Sequence, residues 1–171
     1  MSLNAVQQFI RDTINGTSSS YLPSLKAWVA PPSVGDIGNA PNAYVWGATF
    51  HEHRWTMSAG RYDGDQNYML GSGGNKKVEY QVYIWISVAT KADDPHADEA
   101  FPILLENVLK ALRATPKVNN ITDPSTGQSS SLMDLGEEFQ VEYSTPRTTA
   151  DQRIIRTDCR ITAMFFEMIS A

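Results

Sequence analysis

Cysteine is almost missing from this chain. Cys159 is the only one among 171 residues, so an intrachain disulfide is excluded, and a cysteine-built zinc framework with it. Long apolar runs are missing too: none approaches the roughly 20 residues that a helix needs to cross a bilayer. The first residues, MSLNAVQQFIRD, lack a charged segment leading into an apolar one. No signal peptide is expected, and the expected setting is a cytoplasm. Charge of one sign is nowhere concentrated. The 14 Lys and Arg and the 19 Asp and Glu, net −5, are scattered, and like charges come in pairs such as Lys76-Lys77, Asp93-Asp94 and Glu137-Glu138. A nucleic-acid groove or an anionic-membrane patch needs clustered Lys and Arg. Neither partner is expected.

Catalytic and ligand signatures are equally scarce. There is no Ser/His/Asp spacing and no nucleophile elbow. Gly71-Ser72-Gly73-Gly74 precedes a strand, whereas a phosphate cradle places its glycines after a strand and before a helix. Asp63-Gly64-Asp65 resembles a fragment of a calcium loop but lacks the other ligand positions and the closing Glu; a turn accounts for it. His51 and His53 are two apart on an expected strand and so point the same way. A metal site needs a third and usually a fourth ligand, and His96, Asp63 or Asp65 would have to be brought there by folding. Glu137, Glu138, Glu142 and Asp93-Asp94 are the candidates for paired carboxylates, but Asp93-Asp94 is explained by helix N-capping and the helix dipole. Cys159 falls on the apolar side of a strand, which suits a buried structural thiol. No enzyme activity, metal or cofactor is expected.

What is present is a scaffold. A 42% hydrophobic and 10% aromatic composition suits one packed domain over residues 1–171. Val78, Tyr80, Val82, Ile84, Ile86 and Val88 alternate without a break, the pattern of a strand with one face in a core. The strand Lys76–Ala89 would be roughly 45 Å long, about twice the usual length. It must bend across the domain or project as an arm with the Gly-rich loop at its tip. After Asp93-Asp94-Pro95, residues Ala97, Ala100, Phe101, Leu104, Leu105, Val108, Leu109 and Leu112 recur at helical spacing.

The flanks complete an α+β plan. Leu3, Val6, Phe9, Ile10 and Ile14 mark a first helix stopped by Asn15-Gly16. Residues 17–42 are rich in Ser, Pro and Gly; Leu22, Leu25, Trp28 and Val29 tack them to the body as a turn of helix or a short strand. Ala43–Gly47 and Phe50–Ser58 form two strands, or one strand with a bulge near Gly47. Residues 60–75 and 114–136 are expected to be flexible loops. Two closing strands follow, with Phe139, Val141 and Tyr143 on one and residues 153–168 on the other, joined by a connection at 144–152. The expected fold is thus a curved, mainly antiparallel or mixed sheet, about two helices on one face, and an extended hairpin arm. Tyr83 and Trp85 lie opposite the core side of the long strand. They are either covered by the Pro-rich segment or first helix, or they form a subunit contact.

The stretches LNAVQQFIRDTI, NAYVWG, VEYQVYIWISVATKADDPHADEAFPILLENVLKAL and EEFQVEYSTPRTTADQRIIRTDCRITAMFF, in that order, resemble the tail terminator (tail completion) family of long-tailed bacteriophages. The resemblance implies a virion subunit, assembled in the host cytoplasm, that forms a ring, commonly a hexamer. Such a ring caps the tail-tube protein, stops its polymerisation and offers a surface to the head–tail connector, while DNA passes through the lumen without specific binding. It further implies that residues 60–77 reach a neighbouring subunit or the tube. Tyr68, Met69, Leu70, Lys76, Lys77, Tyr83 and Trp85 are then the expected contact residues. The alternatives are a head-completion, neck or tail-tube protein, and a stand-alone α+β domain that binds a small ligand in an aromatic-lined pocket.

Overall fold

The computed structural model describes residues 3–29, 41–58, 61–63, 75–115, 118–124, 126–127, 129–134, 139–143, 146–148 and 153–170. Its frame is three strands of 17 residues each: β2 (Asn42–Ser58), β4 (Asn75–Lys91) and β9 (Ile154–Ser170). β4 is central and antiparallel to both neighbours. It pairs with β2 from Asn75↔Trp55 to Ser87↔Asn42 and with β9 from Asn75↔Ser170 to Lys91↔Ile154. Hydrogen bonding on both edges for nearly its whole length explains why so long a strand persists. It also changes the expected arm: the ladder end at Asn75 is three strands wide, because β9 backs it to Ser170.

The remaining strands are short. β1 (Lys26–Trp28) lies parallel to the start of β2, and β3 (Arg61–Asp63) pairs antiparallel with its end. β5 (Val118–Thr122) and β6 (Ser129–Asp134) form a hairpin, and β6 joins β9 opposite Phe165–Glu167. β7 (Gln140–Tyr143) and β8 (Arg147–Thr148) continue down the same edge of β9. Residues 114–136, expected to be a flexible loop, thus contain a sheet hairpin, whose Ile121 is buried in the core. The reason is that the outer edge of β9 offers unpaired backbone groups, which polar Ser- and Asn-rich strands satisfy as well as apolar ones. The segment tacked on by Leu25 resolves as β1, with Leu25 buried and the Lys26 amide donating to Pro41 O at 2.9 Å.

Ala48 is the extra residue of a bulge in β2, since Gly47 pairs with Val82 and Thr49 with Gln81. One strand with a bulge is therefore the outcome. The extra residue shifts the register by one, so that Phe50 comes level with Tyr80.

Among the described residues two helices cover one face of the sheet. α1 (Leu3–Ile14) buries Ala5, Val6, Ile10 and Ile14, and is pinned to β2 by Gln7 Nε2 donating to Val45 O at 3.2 Å. It ends at Gly16, whose φ of 81° suits a residue without Cβ. α2 (Ala97–Arg113) buries Ala100, Phe101, Leu104, Val108 and Leu112. The last four meet Val78, Tyr80, Val82, Ile84, Ile86 and Val88 of β4, Ala43 and Val45 of β2, and Cys159, Ile161, Ala163 and Phe165 of β9 in one core. Each such side chain fully buried is worth about 1.5–3 kcal/mol if aliphatic or aromatic.

The start of α2 departs from expectation. Its N-cap is His96, which makes no side-chain cap, and the first-turn acids are Asp98 and Glu99 rather than Asp93 and Asp94. Asp94 acts one step earlier: its Oδ1 accepts the His96 amide at 2.9 Å, turning the chain out of β4. Pro102 lies inside the helix on its exposed side, where a lost amide donor faces water rather than core.

Candidate assembly surface

The face of the sheet opposite the helices is set by the same alternation that builds the core. With Tyr80, Val82, Ile84 and Ile86 directed inward, Glu79, Gln81, Tyr83, Trp85 and Ser87 must point the other way. On β9 the inward set is Thr157, Cys159, Ile161, Ala163 and Phe165, which leaves Arg156, Asp158, Arg160 and Met164 outward. Register then joins residues far apart in the chain into one row. Tyr44 is level with Trp85, Trp85 with Arg160, and Arg160 with Glu142.

Arg160 organises this row. Its Nη2 donates to Glu142 Oε2 at 2.6 Å, while its guanidinium carbon lies 5.3 Å from the Tyr83 ring centre and 5.8 Å from that of Trp85. The ion pair is partly exposed and contributes about 0–1 kcal/mol; each cation–π contact is worth about 0.5–1 kcal/mol. The chief effect is order: two large aromatics and a cation are held in one arrangement. Nearby, Arg156 Nε donates to Asp158 Oδ1 at 3.0 Å.

Among the described residues four large hydrophobic side chains are exposed: Tyr21 (37%), Ile154 (40%), Trp85 (41%) and Met164 (43%). Three of the four lie on the sheet face opposite α1 and α2, which is helix-free among the described residues, and such an apolar patch calls for an explanation. α1 packs on the opposite face, so the first helix does not cover Tyr83 and Trp85; residues 30–40 of the Pro-rich segment lie outside the described residues. Of the other expected contact residues, Lys76 and Lys77 stand near the start of β4, in register with Arg54 and His53. Tyr68, Met69 and Leu70 lie outside the described residues, as do Asp65, Gly71–Gly74, Glu137 and Glu138.

His51 and His53 are in register with Glu79 and Lys77, and His96 is at the head of α2, stacked on Tyr21. Among the described residues no three His, Cys, Asp or Glu side chains come together in metal-binding geometry. Glu142 is bound to Arg160. The described helices include none long and apolar enough to cross a membrane.

Cys159 is buried, and that burial pushes its thiol from 9.0 up to about 11. A thiol so shielded should stay unmodified by an aromatic disulfide reagent at pH 8 in the native protein and react promptly once unfolded. Reaction at equal rates in both states would contradict the packing of β9 against β4. Because the folded value is raised, the thiol's contribution to stability is complete below pH 9.0 and is lost as pH rises through about 11.

Two residues of consequence carry no motif. Arg160 acquires its partners only through register. Glu167 is buried at 2% exposure and accepts the Tyr80 hydroxyl at 2.9 Å. Its one signal is parity, since it continues the inward series Ile161, Ala163, Phe165. No protein-family model matches the chain, and no curated protein matches it.

Proposed function

We propose that this chain is a structural subunit of a bacteriophage tail, of the terminator kind, which closes a ring on the end of the tail tube and presents the ring to the head. The observation that carries this reading is the helix-free sheet face with its exposed Trp85, Met164 and Ile154. A sheet that exposes three large apolar side chains and a preset Arg–aromatic row on the side away from its described helices is suited to association. The element order supports the same reading: a helix, a long antiparallel ladder, a second helix and a C-terminal strand that closes the sheet. The mechanism is geometric. A closed ring has two unlike faces, so one can end the tube while the other receives the connector.

The test is electron microscopy of particles from a phage that lacks this gene. Tubes of abnormal length are the expected result. Normal tails left detached from heads would replace the terminator reading with a joining role, and intact, infectious particles would remove both.

A further inference from the structure

A ring needs two different contact patches on each subunit, because the surface given to one neighbour differs from that given to the other. The helix-free face supplies one. The fourth exposed hydrophobic, Tyr21, lies elsewhere: it belongs to a loop on the helix side, stacked on His96 at the head of α2. The ring centres are 4.0 Å apart and the planes 7° from parallel. This stack is held in place. The loop is closed at its base by Leu25 N donating to Thr17 O at 2.8 Å and tied to α2 by Asn107 Nδ2 donating to Ser18 O at 2.8 Å. An exposed aromatic pair on a pinned loop is a ready-made projection with little ordering entropy left to lose.

We propose that the helix-free face of one subunit seats the Tyr21–His96 projection of a second copy of this chain. Dimensions and charge both favour that occupant. Four strands at about 4.8 Å spacing, over thirteen residues of β4, give a face of roughly 600–800 Å², near the ~800 Å² that each partner contributes to a stable interface. Among the residues whose side chains are described, the face carries the acids Glu79, Glu142 and Asp158 and the bases Lys91, Arg147, Arg156 and Arg160. It is thus slightly basic on a chain of net charge −5. Around the projection the balance is reversed: residues 93–99 include Asp93, Asp94, Asp98 and Glu99 and no Lys or Arg. Arg156, with 61% of its side chain exposed, is the cation best placed to meet those acids. Complementary charge of this kind sets orientation and association rate, while Trp85 and Tyr21 supply the apolar contact. Both patches lie on one molecule but on opposite layers, so each copy has one of each to offer and the contact propagates from copy to copy.

This assignment rests on the ring-subunit reading, and two variants of the full chain separate the two claims. Trp85→Asp spoils the seat; Tyr21→Ser with Asp98→Lys spoils the projection. Both alter exposed positions, and matching far-ultraviolet circular dichroism and melting temperature confirm that each variant is folded. In sedimentation velocity the unaltered chain is expected to form a closed assembly, and each variant alone to associate roughly 30-fold more weakly or worse, the effect of losing one interface hot spot. The equimolar mixture is the decisive sample: it should give a one-to-one pair and nothing larger. The intact seat of the Tyr21 variant accepts the intact projection of the Trp85 variant, and the surfaces left over are both spoiled. Either variant assembling like the unaltered chain overturns the proposal, as does a mixture that stays monomeric or an unaltered chain that never associates. Variants that behave as stated, together with normal tails in particles lacking the gene, would keep this contact and discard the tail role.

Discussion

Ile84→Ala is expected to lower the free energy of unfolding by about 2–5 kcal/mol, a large share of the roughly 5–15 kcal/mol that holds a domain of this kind together. Ile84 is fully buried on the central strand, level with Val45 on one side and Ile161 on the other, all three without measurable exposure. Its methyl groups fill the layer between sheet and helices, and neighbours held by two hydrogen-bonded edges cannot collapse into the space left behind. Ala89→Ser, on the same strand at an exposed outward position, should shift stability by no more than about 0.5 kcal/mol. Urea titration of the two variants against the unaltered chain measures the contrast. Equal losses at 84 and 89 would mean that β4 does not have one face in a core.

The second large effect concerns the buried Tyr80–Glu167 contact. Tyr80→Phe should cost about 1–3 kcal/mol, because it keeps the ring but takes a donor away from a carboxylate with almost no access to water. Combined with Glu167→Met, the loss should be smaller than the sum of the two single losses, with a coupling of about 0.5–3 kcal/mol. Strict additivity would show that the hydroxyl and the carboxylate do not interact. The pH dependence provides a separate check. Burial, then the hydrogen bond to Glu167, then the charges of Glu167 and Asp123 hold the Tyr80 phenol protonated well above its ordinary range. A folded-state value above the unfolded one means that the contribution is complete below about pH 10 and is lost as pH rises past it. The stability difference between the unaltered chain and Tyr80→Phe should therefore be constant up to about pH 10 and shrink beyond it.

The fold was unevenly legible. Residues 76–89 and 97–112 announced a strand and a helix because each buries one face against a single layer, which writes its period into the sequence. β5 and β6 were not legible: Val118–Thr122 and Ser129–Asp134 are polar strands at an edge, held by backbone hydrogen bonds that leave no alternation of side-chain type. The N-terminal cap of α2 was misplaced by the acids at 93 and 94, since an Asp that turns the chain and an Asp that caps a helix have the same local signature. In the candidate surface, Tyr83 and Trp85 were legible as large aromatics on the wrong side of a strand. Arg160 and Glu142 were not, because nothing in their own surroundings links them to residues some 60–75 positions earlier.

By itself the sequence determined which side chains go inward, where the two helices lie and that no cysteine, metal or membrane chemistry was signalled, since these follow from periodicity and composition along one segment at a time. Only the tertiary structure decided that Tyr44, Trp85, Arg160 and Glu142 form one row, that Glu167 meets Tyr80, and that β9 extends the ladder to its end. Each of these depends on strand register, which is fixed by the fit of the whole core rather than by any local run of residues.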